Sequence, residues 1–316
     1  MNEAATSRLR GTTLPFDPLL VLIVSIWALN ISLVKIALVD FPPVAFNFLR
    51  LAVAAVILLG FLLAKEKNIR IARKDLPKIL LLSFSGYAVA QTLIILGIRL
   101  TSATNVAVLT GISPILISLL SSFFKHERIS RLGWLGVALG FTGAYIVISS
   151  RSGGFRLSEQ TLKGDLLVFL AIALWAHFSV SARPFLKKYS PLKFSAVTIS
   201  LGILFSLPYS LPSLWTVPGA GISARSWLIA VFAGVVPMAL GLMIWFNSVK
   251  RVGNSQTAVY SNLQPVLAIV FAHLLLGDTV GGGLAAGAAL VLLGIFLTRR
   301  GRTALPAPLK APAGGS

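Results

Sequence analysis

Long apolar segments alternate with short polar, mostly basic segments along nearly the whole chain. A helix that crosses a lipid bilayer needs about 20 mostly apolar residues, and ten segments approach that length. They cover residues 18–39, 41–64, 79–98, 104–124, 132–150, 165–184, 192–211, 226–248, 256–276 and 283–298. The pattern therefore predicts an all-α membrane protein with ten transmembrane helices.

The first apolar segment is expected to remain in the mature protein as a transmembrane helix. Its 22 residues exceed the core of a signal peptide, which has about 7–15 residues. No small-residue cleavage site follows it at residues 40–43. Residues 1–17 are expected to form a cytoplasmic segment, and the Pro-, Ala- and Gly-rich residues 299–316 a disordered cytoplasmic tail.

The composition excludes an ordinary soluble enzyme. Charged residues make up 12% of the 316 residues, whereas about 25% is usual in soluble proteins, and the mean hydropathy is +0.87. The formal net charge of +19 would suggest a nucleic-acid partner in a soluble chain. Here the basic residues lie between apolar segments, so we expect a lipid bilayer as partner and no nucleic acid. The absence of Cys excludes disulfides and thiolate metal sites.

The distribution of Lys and Arg predicts the orientation in the membrane. If the N-terminus is cytoplasmic and the chain crosses ten times, the cytoplasmic segments hold 21 Lys and Arg and the outer segments 5. The remaining two, Lys35 and Arg50, lie within predicted helices. Cytoplasmic loops are enriched in basic residues. The count therefore predicts that both termini are cytoplasmic, with the protein in the plasma membrane, or the inner membrane of a bacterium.

The chain contains an internal repeat. Residues 104–127 read TNVAVLTGISPILISLLSSFFKHE, and residues 255–278 read SQTAVYSNLQPVLAIVFAHLLLGD. A shift of 151 residues aligns the two segments and places Pro114 on Pro265. Such self-similarity indicates that one structural unit occurs twice.

The two units are predicted to have opposite orientations in the membrane. A shift of 148 residues places Trp27 on Trp175, so the units extend over about residues 18–150 and 165–298, joined by an outer linker at 151–164. Each unit holds five predicted helices, and an odd number inverts the second unit. Inverted repeats build many secondary transporters, because one unit inserted both ways provides two similar gates around a central site.

One ordered set of residues is similar to a known family. Its members are Trp27, Lys35, Arg50, Pro114, Glu127, Trp175, Pro265 and Asp278. The set resembles the ten-helix, EamA-type members of the drug/metabolite transporter superfamily over about residues 18–298. Ala28 stands where that family often has Gly, and Asp278 where it usually has Glu. The resemblance implies transport of a small metabolite or drug, often export of amino acids or related compounds, with no cofactor and no enzymatic activity.

Polar and aromatic residues share faces of several predicted helices and are candidates for substrate binding. They are Trp27, Asn30, Tyr87, Gln91, Asn105, Trp175, Phe178, Gln256, Tyr260 and Gln264. Since amide side chains are costly in lipid, these faces should turn inward, either to hydrogen-bond between helices or to line a pocket for a small amphipathic solute. The resemblance implies a cavity formed by the first, third, fourth, sixth, eighth and ninth helices.

Two prolines are predicted to interrupt equivalent helices. Pro114 and Pro265 each lack a backbone N–H, which disturbs the carbonyl groups four residues earlier, at Thr110 and Ser261. Matched breaks in two repeats point to a gate or to the transported solute's site. A simple kink is the alternative.

Three side chains could carry charge inside the membrane. Lys35 lies close enough to a helix end to reach the interface, whereas Arg50 lies about 13 Å into its helix and needs a partner inside the protein. A clamp between helices is favoured for Arg50; Asp40, backbone carbonyls or a substrate carboxylate are other options. His177 is a candidate for proton coupling because histidine is the side chain type whose ordinary charge change falls near neutral pH, with a packing role as the alternative.

All nine Asp and Glu residues are predicted to lie at helix ends or in loops. Proton-driven export of cations needs a buried titrating group, usually a carboxylate. We therefore expect a facilitator or exchanger of neutral, zwitterionic or anionic solutes, without a buried carboxylate for proton coupling.

Other functions and contacts remain open. A phosphate-ester antiporter would need clustered basic residues, which Lys250 and Arg251 could supply, although their position also fits the orientation rule. An intramembrane enzyme is disfavoured because no paired acids or Gly-x-Ser-Gly motif occurs in the predicted helices. Glycines in the fifth and tenth helices predict close packing, between the two units or, as the less favoured alternative, in a homodimer.

Overall fold

The computed structural model describes residues 17–101, 103–124, 129–149, 159–217, 221–276 and 283–301. The helices are α1 Pro18–Ala37, α2 Pro43–Lys65, α3 Leu76–Ser83, α4 Ala90–Leu100, α5 Ala103–Thr110, α6 Ser113–Phe123, α7 Arg131–Ser149, α8 Glu159–Leu186, α9 Pro191–Trp215, α10 Ala224–Ala233, α11 Gly241–Val252, α12 Asn254–Ala258, α13 Leu263–Leu276 and α14 Gly283–Arg300. The π-helical segments Phe84–Val89 and Gly234–Leu240 join α3 to α4 and α10 to α11, and the 3-10 turn Val259–Asn262 joins α12 to α13.

Six of the described helical stretches are long and apolar enough to cross a membrane. They are Pro18–Ala37, Pro43–Lys65, Leu76–Leu100, Leu162–Leu186, Pro191–Trp215 and Ala224–Val252. Two shorter apolar helices, Ser113–Phe123 and Ala285–Thr298, add to them. Each of the ten predicted segments overlaps at least one helix in the described part of the chain. Apolar side chains such as Val56 and Leu228, both 71% exposed, give the bundle an apolar outer surface suited to lipid.

Several helices begin where the sequence supplies a cap. The side chain of Asp17 accepts hydrogen bonds from the first turn of α1, and Pro18 follows at the first helical position. Ser190 caps α9 in the same way, again followed by proline, and Ser223 caps α10. Each cap satisfies backbone N–H groups that have no partner within the helix, so the helix starts are set locally.

Several helices extend beyond their predicted bounds, among them α8 and α9. α8 begins at Glu159, six residues before the predicted start, because its first turns are polar and a search for apolar segments omits them. α9 continues through Pro208 and Pro212 to Trp215. The predicted linker is therefore helical from residue 159, whereas residues 150–158 and 302–316, Glu127 and Asp278 lie outside the described residues.

The two repeats carry irregular segments at equivalent places. A shift of 151 residues moves Phe84–Val89 onto the second π segment, Gly234–Leu240. The second segment contains Pro237, which lacks a backbone N–H and so disfavours regular α-helix. The equivalent residue in the first is Gly86, where an added Cβ would lie 2.7 Å from the ring of Phe178. A proline in the second repeat and a closely packed glycine in the first thus accompany the same departure from regular α-helix.

The fourth helix of each repeat is broken next to its proline. In the first repeat, α5 ends at Thr110 and α6 begins at Ser113, with Pro114 in its first turn. In the second, the 3-10 turn Val259–Asn262 precedes α13, and Pro265 lies in the first turn of α13. Both prolines therefore begin a new helical segment.

Glycines pack the last helices of the two repeats, α7 and α14, against each other. A Cβ added at Gly136 would lie 2.5 Å from the backbone nitrogen of Thr298, and one at Gly143 would lie 2.6 Å from the carbonyl oxygen of Gly287. A Cβ at Gly294 would lie 2.6 Å from the carbonyl oxygen of Gly136. The small residues let the two backbones approach closely, within one chain as the sequence favoured.

Contacts between connecting segments define two ends of the bundle. At the first, the Asp75 end, Asp75 accepts hydrogen bonds from Lys188 Nζ and Tyr189 Oη, both at 2.8 Å. At the second, the Asp40 end, Asp40 accepts a hydrogen bond of 2.6 Å from Ser223 Oγ. These hydrogen bonds hold the pKa of both carboxyl groups below its usual value.

Basic residues gather at the Asp75 end. The segment 65–78 meets residues 187–190 there, and Arg251 pairs with Asp17 at the start of α1. Arg99 instead donates to the carbonyl oxygen of Leu38 at the Asp40 end. Segments predicted on one side of the membrane by their charges thus lie at one end of the bundle.

Candidate functional site

A cavity of about 170 Å³ lies between helices of both repeats. α1, α2, α4, α5, α6, α8, α11, α13, the second π segment and the 3-10 turn all contribute to its wall. The polar side chains of the wall are Asn30, Arg50, Gln91, Thr110, Ser113, Ser261 and Gln264, and two indoles belong to Trp27 and Trp175. Most remaining lining residues are aliphatic. The wall therefore combines an apolar surface with a few polar groups, as is usual for small-molecule sites.

Four pairs of lining residues occupy equivalent positions in the two repeats. They are Trp27 and Trp175, Gln91 and Leu242, Thr110 and Ser261, and Ser113 and Gln264. The last two pairs flank the breaks next to the two prolines. The helix breaks of the two repeats thus border the same cavity, although Pro114 and Pro265 do not line it.

Five predicted substrate-binding residues line the cavity. They are Trp27, Asn30, Gln91, Trp175 and Gln264. The six helices implied by the family resemblance all contribute lining residues, and α2 adds Arg50.

The other five predicted substrate-binding residues lie outside the cavity. Tyr87 and Phe178 are buried in the core, with ring centroids 5.1 Å apart. Asn105, Gln256 and Tyr260 are absent from the cavity wall. Asn105 Nδ2 instead donates to Asp165, and Tyr260 Oη accepts from the backbone N–H of Asp17.

Irregular backbone explains why a helical wheel misplaced several of these residues. A 3-10 turn has 3.0 residues per turn instead of 3.6, so each residue of Val259–Asn262 rotates the chain by roughly 20° more than an α-helix. Gln264 consequently reaches the cavity while Tyr260 and Gln256 do not share its face. In the third helix, the π segment ends at Val89, between Tyr87 and Gln91. A π-helix is wider than an α-helix and rotates the chain less per residue, so the two side chains again point in different directions.

Trp27 links the two repeats at the cavity wall. Its Nε1 donates a hydrogen bond of 3.0 Å to the carbonyl oxygen of Pro237 in the second π segment. Its ring lies 5.3 Å from that of Trp245, whose Nε1 donates to Ser179 Oγ at 3.0 Å. The position of the Trp27 indole therefore depends on residues of the other repeat.

Arg50 is buried and bound to neutral groups. Its Nε and Nη2 donate to Asn47 Oδ1 at 3.1 and 2.9 Å, and Nη2 also donates to Gln91 Oε1 at 2.8 Å. Asp40 instead accepts from Ser223. Arg50 thus joins α2 to α4 as a clamp, and no carboxylate in the described part of the chain pairs with it.

A second layer of hydrogen bonds orients the amide of Asn47. Its Nδ2 donates to Thr92 Oγ1 at 3.1 Å, and Thr92 Oγ1 donates to the carbonyl oxygen of Ala88 at 2.7 Å. The hydroxyl groups of Thr92 and Tyr209 are 2.9 Å apart. Because these contacts fix the amide nitrogen of Asn47 on Thr92, the amide oxygen points toward Arg50 and holds the guanidinium in place.

Lys35 and His177 also lie outside the cavity. Lys35 Nζ donates to the carbonyl oxygen of Thr101 at 3.1 Å, which satisfies the C-terminal end of α4. His177 Nε2 lies 3.4 Å from Ser181 Oγ, and its ring faces Phe124. These contacts fit packing and capping.

A buried carboxylate corrects one expectation from the sequence. Asp165 is 4% exposed and lies inside α8, although it was predicted at a helix end. It accepts a hydrogen bond of 2.5 Å from Thr101 Oγ1, and Asn105 Nδ2 lies 3.0 and 2.9 Å from its two oxygens. Hydrogen bonds to a charged acceptor compensate for burial. The expectation that all nine acidic residues lie at helix ends or in loops is therefore wrong for Asp165, which does not line the cavity.

Asp17 forms an equivalent contact at the opposite end. The shift of 148 residues that relates the two tryptophans also relates Asp17 to Asp165. Asp17 pairs with Arg251, and its backbone N–H donates to Tyr260 Oη at 2.8 Å. Each Asp thus ties the first helix of one repeat to the third and fourth helices of the other. Lys250 and Arg251 are exposed and lie outside the cavity, where they cannot bind a solute in it.

An apolar helical bundle whose two repeats share one cavity is the architecture of a membrane transporter. The profile of the EamA-like transporter family matches residues 15–149 and again residues 162–300. This chain therefore belongs to the EamA-like transporter family. It is a multi-pass membrane transporter rather than an enzyme, and the two matches confirm the internal repeat.

Similar proteins include transporters and a solved structure. The uncharacterized transporter YyaM of Bacillus subtilis is 27% identical over 87% of this chain and 90% of the relative. A probable terminal-alkyne amino-acid exporter of Streptantibioticus cattleyicolor is also 27% identical, over 89% of this chain and 92% of the exporter. A crystal structure with 21% identity superposes with a TM-score of 0.71 over 88% of this chain and 94% of its own. That last likeness concerns the fold.

Proposed function

We propose that this protein is a secondary transporter that exports an amino acid or a related small amphipathic metabolite. The observation that carries the proposal is the set of equivalent residues, Trp27 with Trp175 above all, that line one cavity from opposite repeats. A site shared by two related units is what alternating access requires, because each unit can provide the gate on one side. The similar amino-acid exporter supports the substrate class.

The cavity suits a solute of metabolite size. Pockets for drug-sized ligands measure about 300–1,000 Å³, and this cavity is smaller, at about 170 Å³. Indole rings and aliphatic side chains suit an apolar body, while the amides of Asn30, Gln91 and Gln264 suit polar groups. An amphipathic solute satisfies both parts of the wall.

The proposed topology has ten transmembrane helices, with the Asp75 end in the cytoplasm. Basic residues of the α2–α3 and α8–α9 connections gather at that end, and such residues favour the cytoplasmic side. Both termini are then cytoplasmic, and the repeats, of five helices each, are inverted. We place the repeats at 18–150 and 165–298, as their sequence similarity indicates.

The proposed transport cycle is facilitated movement or exchange rather than proton–cation antiport. Among the described residues that line the cavity, none carries a carboxylate. The buried carboxylate of Asp165 lies in a contact between the repeats instead. Neutral, zwitterionic or anionic solutes therefore fit the wall better than cations.

Counterflow in proteoliposomes tests this proposal. Vesicles are loaded with a metabolite extract, and mass spectrometry identifies the compounds that exchange. Trp175→Ala removes an indole from the cavity wall, while Trp215→Ala removes one that is 86% exposed at the end of α9. We expect exchange of amino acids or related compounds that the first variant loses and the second keeps. Exchange of phosphate esters alone, or no exchange by folded protein, would contradict the proposal.

A further inference from the structure

The charge of Arg50 is not explained by its role as a clamp. The three hydrogen bonds of its guanidinium all go to amide oxygens, of Asn47 and Gln91. A neutral donor could join α2 to α4 without the cost of burying a charge. Its remaining nitrogen, Nη1, makes no hydrogen bond to the described part of the chain, and Arg50 lines the cavity. An uncompensated cation with free donors thus faces the space that the solute occupies.

The repeat symmetry shows that the fold does not require this charge. The shift of 148 residues places Arg50 on Thr198, a buried uncharged residue that is absent from the cavity wall. The equivalent helix in the other repeat therefore packs without a guanidinium.

Asn30 supplies the opposite chemistry in the same cavity. Asn30 is 8% exposed, and its Oδ1 is buried without a hydrogen-bond partner. A buried acceptor without a partner is costly unless a ligand or water satisfies it. Its equivalent in the second repeat is Phe178, which lies in the core. Neither Asn30 nor Arg50 thus has a polar or charged counterpart lining the cavity at the equivalent position of the second repeat.

We propose that the cavity selects zwitterions, with Arg50 binding the carboxylate of the solute and Asn30 Oδ1 accepting from its ammonium group. This inference rests on the proposed function and adds which solutes the site accepts. The indoles of Trp27 and Trp175 enclose the apolar side chain between the two polar groups. A solute with an amine but no carboxylate is repelled by Arg50, because charges interact strongly in a poorly solvated site.

Ligand-induced thermal stabilisation of the full chain in detergent tests this inference without requiring transport. The probes are L-phenylalanine, L-leucine, phenylalanine methyl ester, phenethylamine and 3-phenylpropionate. We expect both amino acids to raise the melting temperature and to bind more tightly than the ester and the amine. A hydrogen bond to a charged group contributes about 1.5–3 kcal/mol, so the difference should be roughly 10- to 100-fold in affinity.

Two variants assign the selectivity to the named residues. Arg50→Gln should lower the affinity for phenylalanine roughly 10- to 100-fold and remove the preference over phenethylamine. Arg225→Gln, which changes an exposed arginine outside the cavity wall, should change neither. Asn30→Leu should lower the affinity for phenylalanine. The affinity for 3-phenylpropionate, which has no ammonium group, should stay unchanged. A general structural defect would lower the affinity for both ligands.

The possible outcomes separate this inference from the proposed function. Equal stabilisation by phenylalanine and phenethylamine, retained discrimination in folded Arg50→Gln protein, or no stabilisation by either amino acid would overturn the zwitterion site. Selective binding of amino acids together with no counterflow would support the site and contradict transport. Counterflow of a solute that lacks a carboxylate would support transport and overturn the role of Arg50.

Discussion

Substitution of Asp165 by Asn should weaken the contact that joins the two repeats at the Asp40 end of the bundle. The carboxylate accepts from Thr101 Oγ1 through Oδ1, and Asn105 Nδ2 lies within 3.0 Å of both oxygens. An amide of the same shape has only one oxygen. If that oxygen takes the Oδ1 position, Thr101 and Asn105 both keep it as acceptor. The new NH2 group then lies at the Oδ2 position, 2.9 Å from Asn105 Nδ2, where it is a buried donor facing another donor.

The geometry allows the cost to be bounded. A buried donor left without an acceptor costs about 1–3 kcal/mol, and the loss of charge-assisted hydrogen bonds adds to it. An unfolding entropy of about 2.1 cal/mol/K per residue gives roughly 0.66 kcal/mol/K for the 316 residues of this chain. A cost of about 2 kcal/mol then predicts a fall in Tm of about 3 °C.

Asp40→Asn is the matched control. All three hydrogen bonds to Asp40, from Ser223 N, Ser223 Oγ and Ser226 Oγ, end on Oδ2. An amide oxygen can replace that one atom while its nitrogen turns to solvent. The variant loses only the charge, so its melting temperature should stay close to that of the parent.

Thermal unfolding of both variants and the parent in the same detergent at neutral pH is the assay, followed by size-exclusion chromatography. We expect Asp165→Asn to unfold several degrees below Asp40→Asn. Equal melting temperatures for the two variants would refute the reasoning, because they would show that the donors around Asp165 find other acceptors.

Three further predictions concern stability and pH. Gly136→Ala should destabilise the protein by about 1–3 kcal/mol because the added methyl group pushes α7 away from α14. Gly60→Ala is the control, since nothing lies within 4 Å of its added Cβ, and it should not destabilise the protein. Equal melting curves for the two variants would contradict the packing argument. The hydrogen bonds that lower the pKa of Asp75 stabilise the protein fully above about pH 4 and progressively less as the pH falls through the lowered pKa. Asp75→Asn should therefore have a lower melting temperature than the parent at pH 7, and the two melting temperatures should converge as the pH falls. A difference that stays constant with pH would contradict the role of these hydrogen bonds. His177→Ala should leave the pH profile of transport unchanged, measured by counterflow at several pH values, and a flattened profile would assign His177 a role in coupling.

The sequence alone determined the class of this protein and its repeated plan. Apolar segments long enough for a bilayer cannot be soluble, whatever their packing, and similarity at a constant shift records the duplication directly. The glycine spacing of the fifth and tenth helices also predicted their contact, because only small residues allow such close approach. All of these properties are local or periodic along the chain.

The tertiary structure decided which side chain of each predicted pair lines the cavity. Gln91 and Gln264 reach it while Tyr87 and Tyr260 do not, because a π segment or a 3-10 turn between them changes the helical rotation. A helical wheel assumes a constant rotation, and the sequence does not show where that assumption fails.

Contacts between distant residues were also beyond the sequence. Asp165 looked like the end of an apolar segment, and its burial depends on Thr101 and Asn105, about 60 residues earlier in the chain. Arg50 could be recognised as a buried charge in need of a partner, but only the packing of α2 against α4 shows Gln91 in that place and Asp40 elsewhere. The energy of a buried polar group depends on what surrounds it, and those surroundings exist only once the helices have assembled.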